Sequence, residues 1–278
     1  MKIIQLTDLH LTKNDTDKRT GIFDGLTGMN QNFLKIINHS EVTTADIILV
    51  TGDVTDKGDT ESWEFFWREI KKAKLSKKTL VIPGNHDVCC LDLIGRENPK
   101  STLVLEDYRK LKKGLSINQQ KTSFPCIELK SYKRLAIFSV NSNNMGNTGV
   151  VDNAIGIISK QELESFEKLL QETKENEASV KVKLLLMHHS PFLPNESYPF
   201  GSEMDRNSSD ILLELCRKYG INIILHGHLH QDKNRKIGKM KIIGAPASTQ
   251  PYEGILKIYS HKVDFEESTI KSTIIKIK

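Results

Sequence analysis

Two kinds of hydrophobic pattern alternate along the chain. Short apolar runs of strand length occur at residues 3–7, 46–51, 79–82, 127–129, 135–140, 183–187, 221–225, 241–243, 254–260 and 269–277. Apolar side chains recur at helical spacing in residues 31–38, 61–73, 104–112, 160–173 and 209–218. This alternation predicts an α/β fold. Residues 239–278 have the pattern of antiparallel strands, so we expect mixed sheets within one domain spanning residues 1–278.

The composition excludes several classes of protein. Of the 278 residues, 38% are hydrophobic and 27% charged, as in globular rather than disordered chains. No apolar run approaches the roughly 20 residues of a membrane-spanning helix, and residues 1–7 are too short for a secretory signal. The four cysteines have no CxxC spacing, and adjacent Cys89 and Cys90 could pair only with strain. We therefore expect a cytoplasmic protein without a membrane partner.

The charge balance is mildly basic, with 40 Lys and Arg against 35 Asp and Glu. Lysine-rich stretches at residues 71–78 and 109–113 accompany helical apolar spacing, which is typical of solvated helix faces. Charge therefore favours an ordinary surface but leaves a nucleic-acid groove open. It says nothing about the oligomeric state.

Side chains that can bind a metal ion follow five of the predicted strands. Because ligands collect at the carboxyl ends of strands in open α/β sheets, we predict that these side chains form one site. They are Asp8 and His10 after the first strand, Asp53 and Asp56 after the second, Asn85, His86 and Asp87 after the third, His188 and His189 after residues 183–187, and His226, His228 and His230 after residues 221–225.

The mixture of ligand types predicts a pair of divalent ions. Carboxylate, imidazole and amide groups suit manganese, iron or zinc, and we favour manganese. One ion needs only about four protein ligands. A carboxylate shared between two ions about 3.5 to 4 Å apart would complete both coordination shells. Seven candidate ligands are present: Asp8, His10, Asp53, Asn85, His188, His228 and His230.

These clusters, in this order, resemble the motifs of the calcineurin-like metallophosphoesterase family. The matching blocks are Asp8-Leu-His10, Gly52-Asp53-Val-Thr-Asp56, Gly84-Asn85-His86-Asp87, His188 and Gly227-His228-Leu-His230. The resemblance implies a four-layer αββα sandwich of two mixed sheets flanked by helices. It also implies that one ion is held by Asp8, His10, Asp53 and His230, and the other by Asp53, Asn85, His188 and His228.

The resemblance also implies a reaction. A hydroxide that bridges the two metal ions would attack phosphorus in line with the leaving oxygen. His86 would stabilise the transition state or protonate the leaving oxygen, and Asp56 would orient its ring. The sequence therefore predicts a metal-dependent hydrolase of phosphoric esters, with His86 and Asp56 as catalytic residues.

The substrate class is less strongly marked. Lys57 and Gly58 follow Asp56, where the phosphomonoesterase branch of the family has an arginine. Together with the doubled His188-His189, this resembles the cyclic-nucleotide and glycerophosphodiester phosphodiesterase branch, although Ser190 stands where that branch often has proline. We expect a small phosphodiester substrate, with cyclic nucleotides as candidates. The alternatives are a nuclease acting on DNA or RNA, a phosphomonoesterase or protein phosphatase, and a noncatalytic scaffold, which the complete ligand set disfavours.

The neighbours of the candidate ligands receive separate interpretations. We expect His226 to be structural, His189 to contact substrate and Asp87 to orient its loop. Cys89 and Cys90 are assigned to loop packing. Residues 191–208 are either a lip over the leaving group or a solvated loop.

Overall fold

The computed structural model describes residues 1–15, 28–88, 101–143, 154–193 and 204–278. Its strands are β1 Lys2–Leu6, β2 Ile47–Thr51, β3 Thr79–Ile82, β4 Cys126–Lys130, β5 Leu135–Ser139, β6 Val182–Leu186, β7 Ile223–His226, β8 Lys233–Ile237, β9 Met240–Gly244, β10 Leu256–Asp264 and β11 Thr269–Ile277. Its α-helices are α1 Met29–Ile37, α2 Ser40–Thr43, α3 Thr60–Lys72, α4 Asn85–Val88, α5 Ser101–Ser116, α6 Lys160–Asn176 and α7 Arg206–Lys218. A 3₁₀ turn covers Ser76–Lys78.

The strands form two mixed sheets, as the sequence predicts. The first has the order β11-β10-β1-β2-β3, and the second has the order β4-β5-β6-β7-β9-β8. In the first sheet β1, β2 and β3 are parallel, and antiparallel pairing adds β10 and then β11 on the other side of β1. In the second sheet β5, β6, β7 and β9 are parallel, and β4 and β8 are antiparallel strands at the two edges. The carboxyl ends of the parallel strands in each sheet therefore share one edge, where ligand sites form in open α/β sheets.

Three hydrophobic cores separate four layers. Between the sheets, Ile3 and Leu49 of the first sheet pack with Ile137 and Leu184 of the second. On the outer face of the first sheet, alternate residues such as Ile48 pack against α1 and α3. On the outer face of the second sheet, a third core includes residues of α6 and α7. The central strands are apolar at consecutive positions because both of their faces are buried. This arrangement confirms the predicted αββα sandwich.

Helix starts follow local capping chemistry. The side chain of Asp59 accepts a hydrogen bond from the Ser62 amide at 2.8 Å and begins α3. Ser159 and Asp205 accept equivalent bonds at the starts of α6 and α7. Each capping oxygen satisfies an amide that has no partner within its own helix. These caps fix where the outer helices begin over the sheets.

The structure adds elements that the hydrophobic pattern does not reveal. Strand β8 has the polar sequence Lys-Asn-Arg-Lys-Ile and lies at a sheet edge, so burial does not mark it. Strand β9 is parallel to β7, whereas the pattern predicts only antiparallel strands in this closing segment. The predictions for Cys89 and Cys90, and for residues 194–203 of the proposed lip, lie outside the described residues. Among the described residues, no helix combines the length and apolarity needed to cross a lipid bilayer.

Candidate metal centre

The candidate ligands converge at the carboxyl ends of the parallel strands. Asp8 follows β1 and Asp53 follows β2, while His188 and His228 follow β6 and β7 of the second sheet. Several of these residues have a left-handed backbone, which is uncommon outside glycine and concentrates at functional sites. The residues with this conformation have φ between 46° and 70° and are Asp8, His10, Asp53, His228 and His230. The backbone turns sharply at the end of each strand and directs these side chains into one cleft.

The first group of ligand atoms lies around Asp8. The Nε2 atoms of His10 and His230 are 3.2 Å apart, and His230 Nε2 lies 3.3 Å from Asp8 Oδ1. One nitrogen or oxygen from each of these three residues lies within 4.8 Å of the others. The Asp8 carboxylate also accepts hydrogen bonds from the His228 amide and the Thr7 hydroxyl. Those bonds fix its orientation.

The second group lies around Asn85. Its Oδ1 is 2.9 Å from His188 Nε2 and 3.1 Å from His228 Nδ1. Asp53 lies between the two groups, because its Oδ2 is 3.3 Å from His188 Nε2 and 3.8 Å from His10 Nε2. The structure thus brings together all seven candidate ligands, with one carboxylate next to both groups.

Two carbonyl oxygens set the tautomers of the histidines. His188 Nδ1 donates to the main-chain oxygen of Thr51 at 2.9 Å, and His230 Nδ1 donates to Gln250 Oε1 at 3.1 Å. In a neutral ring the Nε2 atom then carries a lone pair. Such outer hydrogen bonds orient histidine ligands in metal sites. Thr51 and Gln250 escape the sequence analysis because nothing in their local pattern indicates this contact.

The electrostatics of the cleft favour positive charge at its centre. Burial opposes protonation of His188, but Asp53 and Asp8 raise its pKa to about 9. Burial likewise opposes ionisation of Asp53, yet the neighbouring His188 and His86 hold the pKa of this carboxyl well below its usual range. Burial and the charge of His188 lower the pKa of His228 to about 3. At His188 the attraction of the two carboxylates therefore raises the pKa by more than burial lowers it.

Glycines permit close approach of the loops. A Cβ added to Gly84 would lie 2.1 Å from Asp53 Oδ1, and one added to Gly227 would lie 2.0 Å from Thr7 Oγ1. No side chain fits at such distances, so the loops after β3 and β7 can approach the first two strands only with glycine at these positions. The glycines within the motifs serve packing of the site as well as turning of the chain.

Asp87 joins two loops of the site. Its carboxylate accepts hydrogen bonds from the amides of Val54, Thr55 and Gly84 at 2.8 to 3.1 Å, and from the Thr55 hydroxyl. Burial and the nearby Asp53 raise its pKa to about 6. The side chain holds the loop after β2 against the loop after β3, in keeping with the orienting role that the sequence suggests.

His86 lies at the rim of the cleft, with 15% of its side chain exposed. Its Nδ1 donates to the main-chain oxygen of Asp56 at 2.9 Å, while the Asp56 carboxylate lies 3.8 Å away. That carboxylate is closer to His10 Nδ1, at 3.4 Å. The main chain of Asp56 thus contacts the His86 ring more closely than its carboxylate does. The carboxylate faces a candidate metal ligand.

The neighbouring histidines differ in their surroundings. His189 is buried, pairs with the Ser142 hydroxyl at 2.9 Å and has its ring 4.4 Å from that of His228. Its ring nitrogen lies close enough to those of His188 and His228 for the three to share an ion. His226 is also buried, but its Nδ1 contacts the adjacent Gly227 carbonyl.

Arg235 is a further residue that the sequence does not single out. Its guanidinium donates to Ser190 Oγ and, at 3.1 Å, to the Pro191 carbonyl. These bonds attach the unrecognised strand β8 to the chain directly after His188 and His189. Arg235 therefore supports the segment in which two of the candidate site residues lie.

The donor set fits a pair of metal ions. The unprotonated Nε2 of a neutral His188 faces Asn85 Oδ1 and Asp53 Oδ2, and all three atoms are electron-pair donors. Burying several such atoms together is unfavourable unless a cation or a proton lies between them. Asp8 with His10 and His230 repeats the arrangement. A mixed oxygen and nitrogen set of this kind suits borderline divalent ions.

The two sheets, the edge at which the ligands lie and the paired ligand groups define a metal-dependent phosphoesterase. The sequence profile of the calcineurin-like phosphoesterase family matches residues 1–232, and the chain belongs to this family. A dimetal phosphatase from Danio rerio has the same fold, with a TM-score of 0.66 at 10% identity, and the match covers 100% of this chain and 98% of that one.

Sequence relatives carry more specific names. A probable cyclic nucleotide phosphodiesterase of Coxiella burnetii is 26% identical over 248 residues, which are 89% of this chain and 83% of that protein. The 3',5'-cyclic adenosine monophosphate phosphodiesterase of Haemophilus influenzae is 23% identical over 250 residues, or 89% of this chain and 76% of that protein. These similarities extend beyond the ligand motifs to most of the chain.

Proposed function

We propose that the protein hydrolyses a small phosphodiester, and that a 3',5'-cyclic nucleotide is its substrate. The observation that carries the proposal is the position of the Asp53 carboxylate between two groups of ligand atoms at the cleft. Two divalent ions bound there would polarise the phosphate oxygens and lower the pKa of water. The first would be held by Asp8, His10, Asp53 and His230, and the second by Asp53, Asn85, His188 and His228.

His86 is the proposed proton donor to the leaving oxygen. Its Nδ1 is engaged by the Asp56 carbonyl, so the ring can exchange a proton with substrate only through Nε2. Its partial exposure at the rim gives substrate access to that atom. A ring held in this way can also place its positive charge beside the phosphorane-like transition state. Asp56 is a positioning residue for His86 through its main chain and for His10 through its carboxylate.

Support for a cyclic nucleotide comes from the relatives and from one sequence feature. Both relatives described above are named as cyclic nucleotide phosphodiesterases, and each similarity covers 89% of this chain. Lys57 also stands where the phosphomonoesterase branch has an arginine. A fixed guanidinium fork is suited to the dianionic end of a monoester, whereas a lysine does not present that geometry. A diester carries only one negative charge, so its binding depends less on a bidentate guanidinium group.

The test compares four substrates: 3',5'-cyclic AMP, bis-p-nitrophenyl phosphate, 5'-AMP and p-nitrophenyl phosphate. Each is assayed with Mn²⁺ and with excess chelator, using the wild-type protein and Asn85→Ala. We expect turnover of both diesters, loss of turnover in chelator, and a rate for Asn85→Ala that is lower by at least about 100-fold. Metal content measured by mass spectrometry should fall in the variant because a ligand has been removed.

The matched control is Asn118→Ala, which removes an amide that donates to the Ser76 carbonyl away from the cleft. It should leave both the rate and the metal content unchanged. Faster hydrolysis of the two monoesters would refute the diester assignment. Full metal content and full activity of Asn85→Ala would refute its assignment as a ligand.

A further inference from the structure

A groove of about 350 Å³ lies between β8, the edge strand of one sheet, and β11, the edge strand of the other. We call it the lysine groove. Its β11 side lies far from the candidate metal centre, because Lys271 pairs with Lys262, which pairs with Lys2 at the start of β1. Asp8 follows at the opposite end of that strand, roughly 20 Å away at the usual rise per residue. The groove is lined chiefly by Asn234, Arg235, Lys236, Lys241, Lys271 and Ser272.

The lysine groove carries uncompensated positive charge. Lys236, Lys241 and Lys271 come from three different strands, and none forms a salt bridge with a carboxylate in the described part of the chain. None of the described residues that line the groove is acidic. Three ammonium groups around one concave surface repel one another and attract an anion.

Protection of sheet edges explains only part of this arrangement. Lysines on edge strands prevent edge-to-edge association, and Lys236 and Lys271 lie on such strands. Lys241 does not, since β9 is an interior strand flanked by β7 and β8. Its half-buried ammonium group donates to the Ile270 carbonyl in the opposite sheet. That bond holds a positive charge between the sheets, where it cannot protect a sheet edge from association.

We propose that the lysine groove binds a small anion with two or more linked phosphate groups. The three ammonium groups supply the charge, and the Asn234 amide supplies a directional hydrogen bond. The volume is in the range of small-molecule sites. Arg235 is not assigned to this ligand, because its guanidinium is bonded to Ser190 and Pro191. The proposal is independent of the phosphodiesterase assignment, since its test measures binding and not turnover.

The test is calorimetric titration of the full chain with inorganic tripolyphosphate, in chelator so that free metal ions do not take up the probe. We expect saturable binding with one anion per chain. Lys236→Glu/Lys271→Glu should weaken it by at least about tenfold, which is the loss expected from removing one charged hydrogen bond. Lys271→Gln removes one charge but keeps a long polar side chain, so it should weaken tripolyphosphate binding less than the double substitution does. Both positions are exposed, so the substitutions do not disturb the core.

The matched control is Lys276→Glu, because Lys276 is an exposed lysine on the same strand, outside the groove. It should bind tripolyphosphate within about twofold of the wild-type affinity. Tighter binding of ATP than of tripolyphosphate would identify a nucleotide as the source of the phosphate chain, and equal binding would identify an inorganic one. Equal weakening in Lys276→Glu, absence of saturable binding, or displacement of tripolyphosphate by a single-stranded oligonucleotide would overturn the proposal.

Discussion

The molecule buries two clusters of polar side chains equally deeply, and their hydrogen bonding differs. At the candidate metal centre, Asp8, Asp53 and His188 have at most 1% of their surface exposed. Between the sheets, Gln5 and His261 are completely buried. In the interior cluster, Gln5 donates to Thr51 Oγ1 and accepts from His261 Nε2, and His261 Nδ1 accepts from Ser272 Oγ at 2.8 Å. Every donor there meets an acceptor.

The difference teaches how a site can be told from a structural polar cluster. Around Asp53, acceptor atoms of carboxylate, amide and imidazole groups face one another, so the cluster requires a metal ion or an added proton between them. Burial and Lys241 lower the pKa of His261 to about 3, whereas carboxylates raise that of His188 to about 9 despite burial. The two histidines are equally buried, so burial does not distinguish them. The mismatch between donors and acceptors does.

The largest expected effect on activity comes from a substitution that disrupts the geometry of the metal centre and leaves the interior cluster unchanged. In Gly84→Ala, the added Cβ would lie 2.3 Å from the Asp53 amide nitrogen as well as close to its carboxylate. The loops after β2 and β3 must then separate. We expect phosphodiesterase activity to fall to the background rate and metal content to fall with it, measured by chromogenic assay and mass spectrometry.

The control for that substitution is Gly238→Ala. Gly238 has a φ of 56° in the turn between β8 and β9, and an added Cβ would meet nothing within 4 Å. The left-handed backbone alone should lower the free energy of unfolding by about 1 kcal/mol while activity is retained. If Gly84→Ala kept normal activity, close contact between the two loops would not be required for the site.

A smaller effect is expected for His86→Ala, which alters the metal centre without removing a proposed ligand. The rate should fall by about 10² to 10⁴, the usual contribution of a general acid, while both metal ions stay bound. If His86 protonates the leaving oxygen, the loss should be greater for cyclic AMP than for bis-p-nitrophenyl phosphate, because nitrophenolate leaves readily without a proton.

Two contrary results would reassign His86. Equal losses for both substrates would indicate stabilisation of the transition state instead of proton transfer. Loss of a metal ion would make the residue a ligand. Metal content and the two rates are therefore measured on the same preparation.

The sequence predicts the fold where burial sets the pattern. Strands β3 and β11 occur at the predicted residues, and the other predicted strands differ by a few residues at their ends. Strand β8 is missed because its side chains alternate between exposed and half-buried, with four polar residues among five. The short helix α4 is missed because its residues are those of a motif with no apolar periodicity. The hydrophobic pattern indicates only the residues that form the core, and β8 and α4 contribute little to that core.

The site is predicted to the extent that its residues lie within motifs. Spacing at strand ends identifies the seven candidate ligands that converge in the cleft, together with His86 and His189. It does not reveal Gln250 or Arg235, which reach the site from distant parts of the chain through single hydrogen bonds. It also does not reveal the charged Lys241 between the sheets. Such contacts depend on the packing of the two sheets, which no local pattern encodes.

The smallest expected effect concerns the interior cluster and uses pH. The pKa of His261 is about 3 in the folded protein and about 6.5 when unfolded, so folding favours the neutral ring. Its contribution to stability is present above pH 6.5 and is lost as pH falls toward 3. Between pH 7.5 and 5.5 the free energy of unfolding should therefore decrease by about 1.4 kcal/mol more in the wild type than in His261→Gln, measured by urea denaturation in chelator. Equal decreases would show that His261 can be protonated without unfolding, and the interior cluster would then resemble the metal centre in accepting positive charge.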